Sequence, residues 1–503
     1  MAEFDYTQEE RNLRLETPLG PDVLLPASVV GEEYVSGLFR FDLKCFSRKP
    51  DADFDAIVGK NVTLALETPE GPRYFNAVVR RFRQASTSLD LTEYHLELVP
   101  WFWLLTRVAD CRIFQNKKVP EIISAIFDDL EFQDYRLDLE GKYEPVEYCV
   151  QYRETSFDFV CRLLEREGIW YYFEHENGKH TLVLADAPGR VKDGPLRTDA
   201  RYNAKRNAAH EEEYVFSVQQ MQQVHTTNLA LRDFNVETPN DTVSGAREES
   251  EGYGPLEIYD YPGLFDKSGD GGRYAGVRLE EQLALEKVLQ CASNCRGLMP
   301  GFKFELKEHP RKDFNQSLLV LRVRHEAHEE GGFQAGRETE SEYSYQNHFD
   351  AIPASQAYRP PRTTPSPVIH GAQTAVVTGP SGEEIHTDKY GRVKVHFHWD
   401  RQQPLDDKSS CWVRVSQGWA GKNWGTVMLP RVGLEVIVDF LEGDPDRPLV
   451  TGCVYNAEAM PPYALPANKT ISGVKSRSTK DAVSEDLNAV RFEDKKCNEQ
   501  LLI

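Results

Sequence analysis

No stretch of this 503-residue chain approaches the ~20 consecutive apolar residues of a membrane helix, which excludes a helical membrane span. Positive charge is scarce: 59 Lys and Arg stand against 80 Asp and Glu, a formal net charge of −21. That balance excludes a binder of the nucleic-acid backbone and a peripheral binder of anionic membranes, since both need a positive surface. The start, MAEFDYTQEE, has no apolar h-region, so no secretory leader is expected and the protein is expected to be soluble and made in the cytoplasm. A paired-cysteine framework is missing too. The nine cysteines (Cys45, Cys111, Cys149, Cys161, Cys291, Cys295, Cys411, Cys453 and Cys497) are odd in number and widely scattered, unlike a disulfide scaffold. Their apolar neighbours suit small buried thiols. Core-forming material is present: 40% hydrophobic and 11% aromatic residues exclude global disorder. At ~150 residues per domain, the length suggests three domains.

What is there is mostly strand. Phe39, Phe41, Leu43 and Cys45 alternate with Arg40, Asp42 and Lys44, and Tyr94, Leu96 and Leu98 alternate with Glu93, His95 and Glu97. Phe302/Phe304/Leu306 and Leu319/Leu321/Val323 repeat the rhythm. Period-two faces of this kind predict antiparallel sheet, one side buried. Asn177-Gly178 predicts a type I′ hairpin joining 170–175 to 181–185. Three helices are expected. One is at 119–130, with Pro120 at its start and Ile122, Ile123, Ile126 and Leu130 as its stripe. The second, at 155–167, has Thr155 as N-cap and Gly168 as stop, and the third lies at 273–295. Pro353, Pro360, Pro361, Pro365 and Pro367 predict a stiff linker and a domain boundary. Beyond it, strands at 374–378, 392–399, 411–415, 425–429, 434–441 and 449–454 suit a small oligonucleotide/oligosaccharide-binding (OB) barrel.

Chemical motifs are fragmentary. His396, His398 and Asp400 share one strand face and could ligate zinc, but no third ligand at motif spacing completes the set, and a barrel wall or subunit contact explains them as well. His325-Glu326-Ala327-His328 is one residue short of the zincin motif, and Cys291/Cys295, read as one helical turn apart, have no second pair. Gly418-Trp419-Ala420-Gly421-Lys422-Asn423 lacks the terminal Ser/Thr and helix of a phosphate loop, and Glu383 spoils a nucleophile elbow at Ser381. Trp412, Trp419 and Trp424 could stack bases or sugars, but with no basic groove beside them packing is favoured. The residues alone therefore give no catalytic residue, no cofactor-binding residue and no metal.

Several longer runs are more specific. Asp110-Cys111-Arg112-Ile113-Phe114-Gln115 and Tyr148-Cys149-Val150-Gln151-Tyr152-Arg153-Glu154-Thr155-Ser156-Phe157-Asp158-Phe159 come first. Tyr390-Gly391-Arg392-Val393-Lys394-Val395-His396-Phe397-His398-Trp399-Asp400, Trp419-Ala420-Gly421-Lys422-Asn423-Trp424-Gly425, Glu442-Gly443-Asp444-Pro445-Asp446-Arg447-Pro448 and Arg491-Phe492-Glu493-Asp494-Lys495-Lys496 follow in order. Together they resemble the VgrG family, the spikes of the bacterial type VI secretion system. The resemblance implies a mainly β chain with a few helices. Residues 1–365 would be a phage tail-hub-like module, with two β-barrels near 20–100 and 210–345 and a helix-containing insertion between them. Residues 366–466 would be an OB-fold spike base, and 467–503 the neck and first strand of a β-helical needle, truncated at Ile503. It implies a homotrimer with no enzymatic turnover and no cofactor. Such a spike caps the hexameric Hcp tube at the hub base, meets baseplate proteins, punctures the target envelope, and carries effectors or adaptors with a PAAR-type tip on the needle. Assembly would be cytoplasmic, followed by export through the type VI system, without nucleic acid or stable membrane insertion. His396, His398, Trp412, Trp419, Lys422, Trp424 and Arg447 are then expected as structural or trimer-contact residues of the OB domain. The alternative, a cell-wall or glycan hydrolase on a phage-like tail, is disfavoured: about 25 residues separate Tyr463 from Arg491, against the ~100 of an ordinary catalytic domain.

Overall fold

The alternating runs pair into sheets in the computed structural model, which describes residues 6–87, 90–205, 212–249, 254–329 and 343–503. The chain divides into two compact units. The first comprises 1–108, 119–143 and 155–365; the second comprises 109–118, 144–154 and 366–503. The span 1–365, expected as one continuous module, is thus interrupted twice by chain that packs with the second unit.

In the first unit a 13-stranded sheet runs, along its main path, through Leu13–Glu16, Asn61–Leu66, Arg73–Thr87, Thr92–Val99, Arg40–Ser47, Leu25–Tyr34, Ser317–His328, Ser344–Pro353, Lys287–Ser293 and Val215–Gln222. The two segments expected as barrels share this one sheet. They meet where Ser28–Tyr34 pairs antiparallel with Arg322–His328. Positions 210–211, 250–253 and 330–342 of the later segment lie outside the described residues. Phe39, Phe41, Leu43 and Cys45 are buried with Tyr94, Leu96 and Leu98, as their period dictates. Phe304, Leu306, Leu318, Val320 and Phe349 form a core of their own in the later segment.

Local signals explain the helices. Helix α1, Val119–Asp129, buries Ile122, Ile123 and Ile126. Helix α2, Ser156–Glu167, is capped by Thr155, whose side chain accepts the Asp158 N–H, and stops at Gly168 in the left-handed region. The Asn177-Gly178 hairpin forms as expected, but only Gly178 of the pair takes positive φ, so the turn is not type I′. Helix α3 is Ser268–Ala284, and Lys287–Ser293 is a strand paired on both edges. The apolar band read as one helix to 295 is therefore two elements, because sheet pairing on either side overrides helical spacing. Cys291 sits on that strand and Cys295 beyond it. The helix also begins earlier than expected, through Gly271 and Gly272. A Cβ on Gly245 of the neighbouring strand would lie 2.0 Å from the Gly271 carbonyl carbon, so close approach requires the glycines.

In the second unit a five-stranded sheet runs in the order Lys394–Phe397, Gln373–Thr378, Glu435–Phe440, Pro448–Cys453, Arg414–Val415. Its core holds Ala375, Val377, Val393, Val395, Phe397, Val413, Val436, Val438 and Val450 together with Ile113, Tyr148 and Val150. The last three come from the paired strands Ala109–Lys117 and Val146–Thr155, which is why these stretches leave the first unit. The expected strand 425–429 is absent: a short ribbon, Ala420–Gly421 with Trp424–Gly425, takes its place. Ile471–Lys475, Ala489–Glu493 and Gln500–Leu502 form a separate three-stranded sheet.

One buried polar network crosses the join in the first unit. Arg73, 1% exposed, donates to the Glu33 carboxylate and to the carbonyls of Arg296 and Leu298 at 2.8 and 2.6 Å. His325 Nε2 lies 2.8 Å from Glu33, and its Nδ1 lies 2.7 Å from the Tyr345 hydroxyl. Nearby, His180 Nε2 accepts the Trp101 N–H at 2.9 Å while Nδ1 meets Asn76 Oδ1 at 2.7 Å. That pair of contacts fixes a neutral imidazole. Burial alone pushes the Glu33 carboxyl up, but the Arg73 charge, His175, whose Nε2 lies 3.6 Å away, and the His325 hydrogen bond overrule it and hold it well below the usual range. Burial, then the neighbouring His175, lowers His180, and burial likewise lowers His325 against the pull of Glu33. All three groups bind protons more weakly in the fold than unfolded. Their stabilisation is therefore complete above about pH 6.5, the unfolded histidine value, and is lost on acidification: first the histidines, then Glu33 below about pH 4.3. The melting temperature of the first unit is expected to fall between pH 7.5 and 5. His180→Gln is expected to flatten that slope in scanning calorimetry; an unchanged slope would remove His180 from the account.

Candidate functional site

The residues expected to matter in the second unit do not converge on one point. In the strand Lys394–Phe397, Val395 and Phe397 enter the core, which leaves His396 on the outer face and His398 just beyond the strand end. His396 Nε2 lies 3.2 Å from the Gln403 carbonyl, and His398 Nε2 lies 3.1 Å from Thr374 Oγ1. Asp400 turns inward instead: its Oδ1 accepts the N–H groups of Gln402 and Gln403 at 3.0 and 3.1 Å. The three are thus engaged separately. Among the described residues, no group of three or more His, Cys, Asp or Glu could hold a metal ion.

The broken motifs elsewhere take structural places. His325 lies in the buried network above, and His328 ends an antiparallel strand. Burial raises the Cys291 thiol above the reactive range and the Cys295 thiol to about 12.

Trp412 is half-buried, 4.9 Å from the His386 ring, with the Lys394 ammonium 5.1 Å over its face. That ammonium also donates to the Ser410 carbonyl at 2.8 Å. Arg447 closes a turn: its N–H donates to the Asp444 carbonyl at 3.0 Å and its guanidinium lies 3.7 Å from the Asp444 carboxylate. These contacts all lie within the second unit.

The exposed group is different. Gly421 and Gly425 allow the ribbon to bend tightly: Gly425 has φ 134°, and a Cβ there would meet the Trp419 carbonyl at 2.3 Å. This folds Trp419 and Trp424 edge to face at 4.9 Å, with Lys422 exposed at the tip. Trp419 is 63% and Trp424 57% exposed, and the following Val427 and Met428 are 77% and 61% exposed. Four large apolar side chains on one short stretch are more than scattered exposure; such patches mark interaction surfaces. The strand expected at 425–429 would have run through Val427 and Met428. The glycines at 418, 421 and 425 and Pro430 were the signal that no such strand could form. The patch offers apolar surface of the kind that contacts another surface.

Comparison with known proteins assigns this succession of a large sheet and a small barrel. Residues 32–331 match the family described as phage tail baseplate hub (GPD), and 374–455 match the type VI secretion system/phage-baseplate injector OB domain. The Escherichia coli c3393 protein, described as a type VI secretion component structurally similar to T4 tail proteins gp27 and gp5, superposes with a TM-score of 0.64 at 24% identity. That match covers 88% of this chain and 100% of the other. A chain of the structure described as the lidless PdpA–VgrG complex gives 0.59 at 10% identity, over 98% of this chain and 96% of that one. These structures establish the shared fold. The fold class is thus tail hub plus injector OB domain.

Sequence identity narrows it further. The type VI secretion system spike protein VgrG1b of Pseudomonas aeruginosa is 46% identical over 99% of this chain and 67% of its own length, and VgrG1a of the same organism is 46% identical over 99% and 77%. The chain belongs to the VgrG family of type VI secretion spike proteins, a family of structural components.

Proposed function

We propose that this spike acts as a homotrimer that caps the Hcp tube through the hub-like module, breaches the target envelope and carries effectors, with a PAAR-type tip protein beyond it. The observation that carries the reading is 46% identity to curated spike proteins along 99% of the chain. The exposed Trp419–Met428 stretch supports self-association, since association would remove that apolar surface from water. In this reading 366–466 forms the OB base and 467–503 the neck. Val474, Val490, Phe492 and Leu501 in the neck are 40–58% exposed and would meet neighbouring copies. The protein assembles in the cytoplasm and leaves through the type VI machinery. Among the described residues no helix is long and apolar enough to cross a membrane. It turns over no substrate, and incubation with peptidoglycan is expected to release no soluble fragments. Light scattering on the purified chain is expected to give three times the 57.4 kDa chain mass. A monomer at tens of micromolar would overturn self-association through these surfaces.

A further inference from the structure

We propose that the first unit carries a receptor for a carboxylate-rich segment of a partner protein, built from Arg40, Arg80, Arg81, Arg83 and Arg107 around Glu97 and Trp103. In a regular strand Arg80 and Arg81 would point to opposite faces. A β-bulge between Val79 and Arg81 interrupts the register with the strand Thr92–Val99, and both guanidiniums then reach the same carboxylate. Glu97, whose side chain is 6% exposed, takes a short hydrogen bond from Arg80 and lies 3.8 Å from Arg81 and 3.7 Å from Arg40. Arg80 also lies 4.8 Å and Arg107 4.5 Å from the Trp103 ring centroid, so the indole holds the Arg80 guanidinium and one further guanidinium in place. Arg83 follows in register opposite His95 and is exposed.

One buried carboxylate cannot satisfy three guanidiniums, each with five N–H donors in a rigid fork. Asp42 takes part of Arg40, at 3.0 Å, and Glu93 engages Lys44 and His95 in the next row. Donors remain turned to solvent: the side chains of Arg81 and Arg40 are 68% and 54% exposed. In a chain of net charge −21 this is a local excess of positive charge, held in fixed geometry. Fixed, spare guanidinium forks match carboxylates bidentately. The patch is a few residues across, and the rest of the molecule repels a long polyanion, so the geometry favours an acidic protein segment over a nucleic acid.

The test is isothermal titration of the full chain at 50 mM salt with an octapeptide of alternating Asp and Glu. An octapeptide of Asn and Gln and a twelve-nucleotide single strand serve as comparisons. The acidic peptide is expected to bind, to weaken about tenfold by 300 mM salt, and to weaken by at least about tenfold in R40Q/R81Q. R40K/R81K is expected to fall between, because charge is kept and the fork is lost. Melting curves should show both variants folded. Absence of binding at millimolar peptide, equal affinity in R40Q/R81Q, equal binding of the neutral peptide, or tighter binding of the single strand would each overturn the proposal.

Discussion

Val150→Asp is expected to unfold the second unit while leaving the first intact. Val150 is 1% exposed and packs with Ile113 and Tyr148 against Val393, Val395, Val436 and Val450. Its backbone N–H donates to Asp446 Oδ1 at 2.6 Å, so the strand is pinned on its polar side too. A carboxylate in that core has no counter-charge among those neighbours, and burying it costs on the order of 3–5 kcal/mol, a large share of a domain's stability. Val150→Ala only opens a cavity and is expected to cost about 2 kcal/mol. Calorimetry of the full chain should then lose one transition in the Asp variant and shift it in the Ala variant. Two unchanged transitions would mean that the paired strands Ala109–Lys117 and Val146–Thr155 are not part of that core. Residues 366–503 expressed alone lack Ile113, Tyr148 and Val150 altogether and are expected to bind a hydrophobic dye and lose near-UV circular dichroism. The mechanical consequence matters for a spike. The chain passes between its units at 108/109, 118/119, 143/144, 154/155 and 365/366, so no single linker joins them.

Where each residue's own neighbours decide its structure, the sequence was legible. Alternation placed Phe39 to Cys45 and Tyr94 to Leu98 correctly, because a one-residue slip would turn the whole face to water. Thr155 and Gly168 marked both ends of α2, since capping is a local matter. Features set by distant chain were not legible. Ile113 and Val150 read as ordinary strand residues, and nothing in their spacing says which of two cores they fill. The strand at 287–293 kept helical spacing because its pairing partners lie about 60 to 70 residues away on either side. The arginine cluster was hidden for the same reason: only a bulge seen in three dimensions turns consecutive arginines toward one carboxylate. The consecutive pair Arg80-Arg81 in an otherwise alternating strand was the available sign. The VgrG family was legible early because long ordered motifs survive even where the pairing they encode cannot be read.

The proline-rich stretch gives the last expected result: Glu165→Ala with Arg359→Ala should open the segment 358–365 to trypsin. Its prolines predict a stiff linker, and from Arg359 to Thr364 it is fastened to the first unit. Arg359 donates to Glu280 at 2.7 Å and to the carbonyls of Gly168 and Asp186 at 2.9 and 2.6 Å, while Tyr358 beside it is buried. Glu165, at the end of α2, accepts the N–H groups of Thr363 and Thr364 at 3.2 and 3.1 Å and the Thr364 hydroxyl at 2.7 Å. The Arg362 N–H reaches Glu281 at 3.3 Å. The Arg362 side chain is itself exposed, so protection of the Arg362–Thr363 bond comes from its pinned backbone and not from occlusion. The Arg359–Pro360 bond resists trypsin on its own account, which leaves one informative cut. Hydrogen bonds to charged groups contribute about 1.5–3 kcal/mol each, and removing both anchors should lower the opening free energy by about 3–5 kcal/mol. Cleavage that follows the open population then accelerates about 10²–10⁴-fold. Equal cleavage rates in wild type and the double variant would show that the strap is held by something other than Glu165 and Arg359. The expected acceleration would identify these two side chains as what fastens the segment to the first unit.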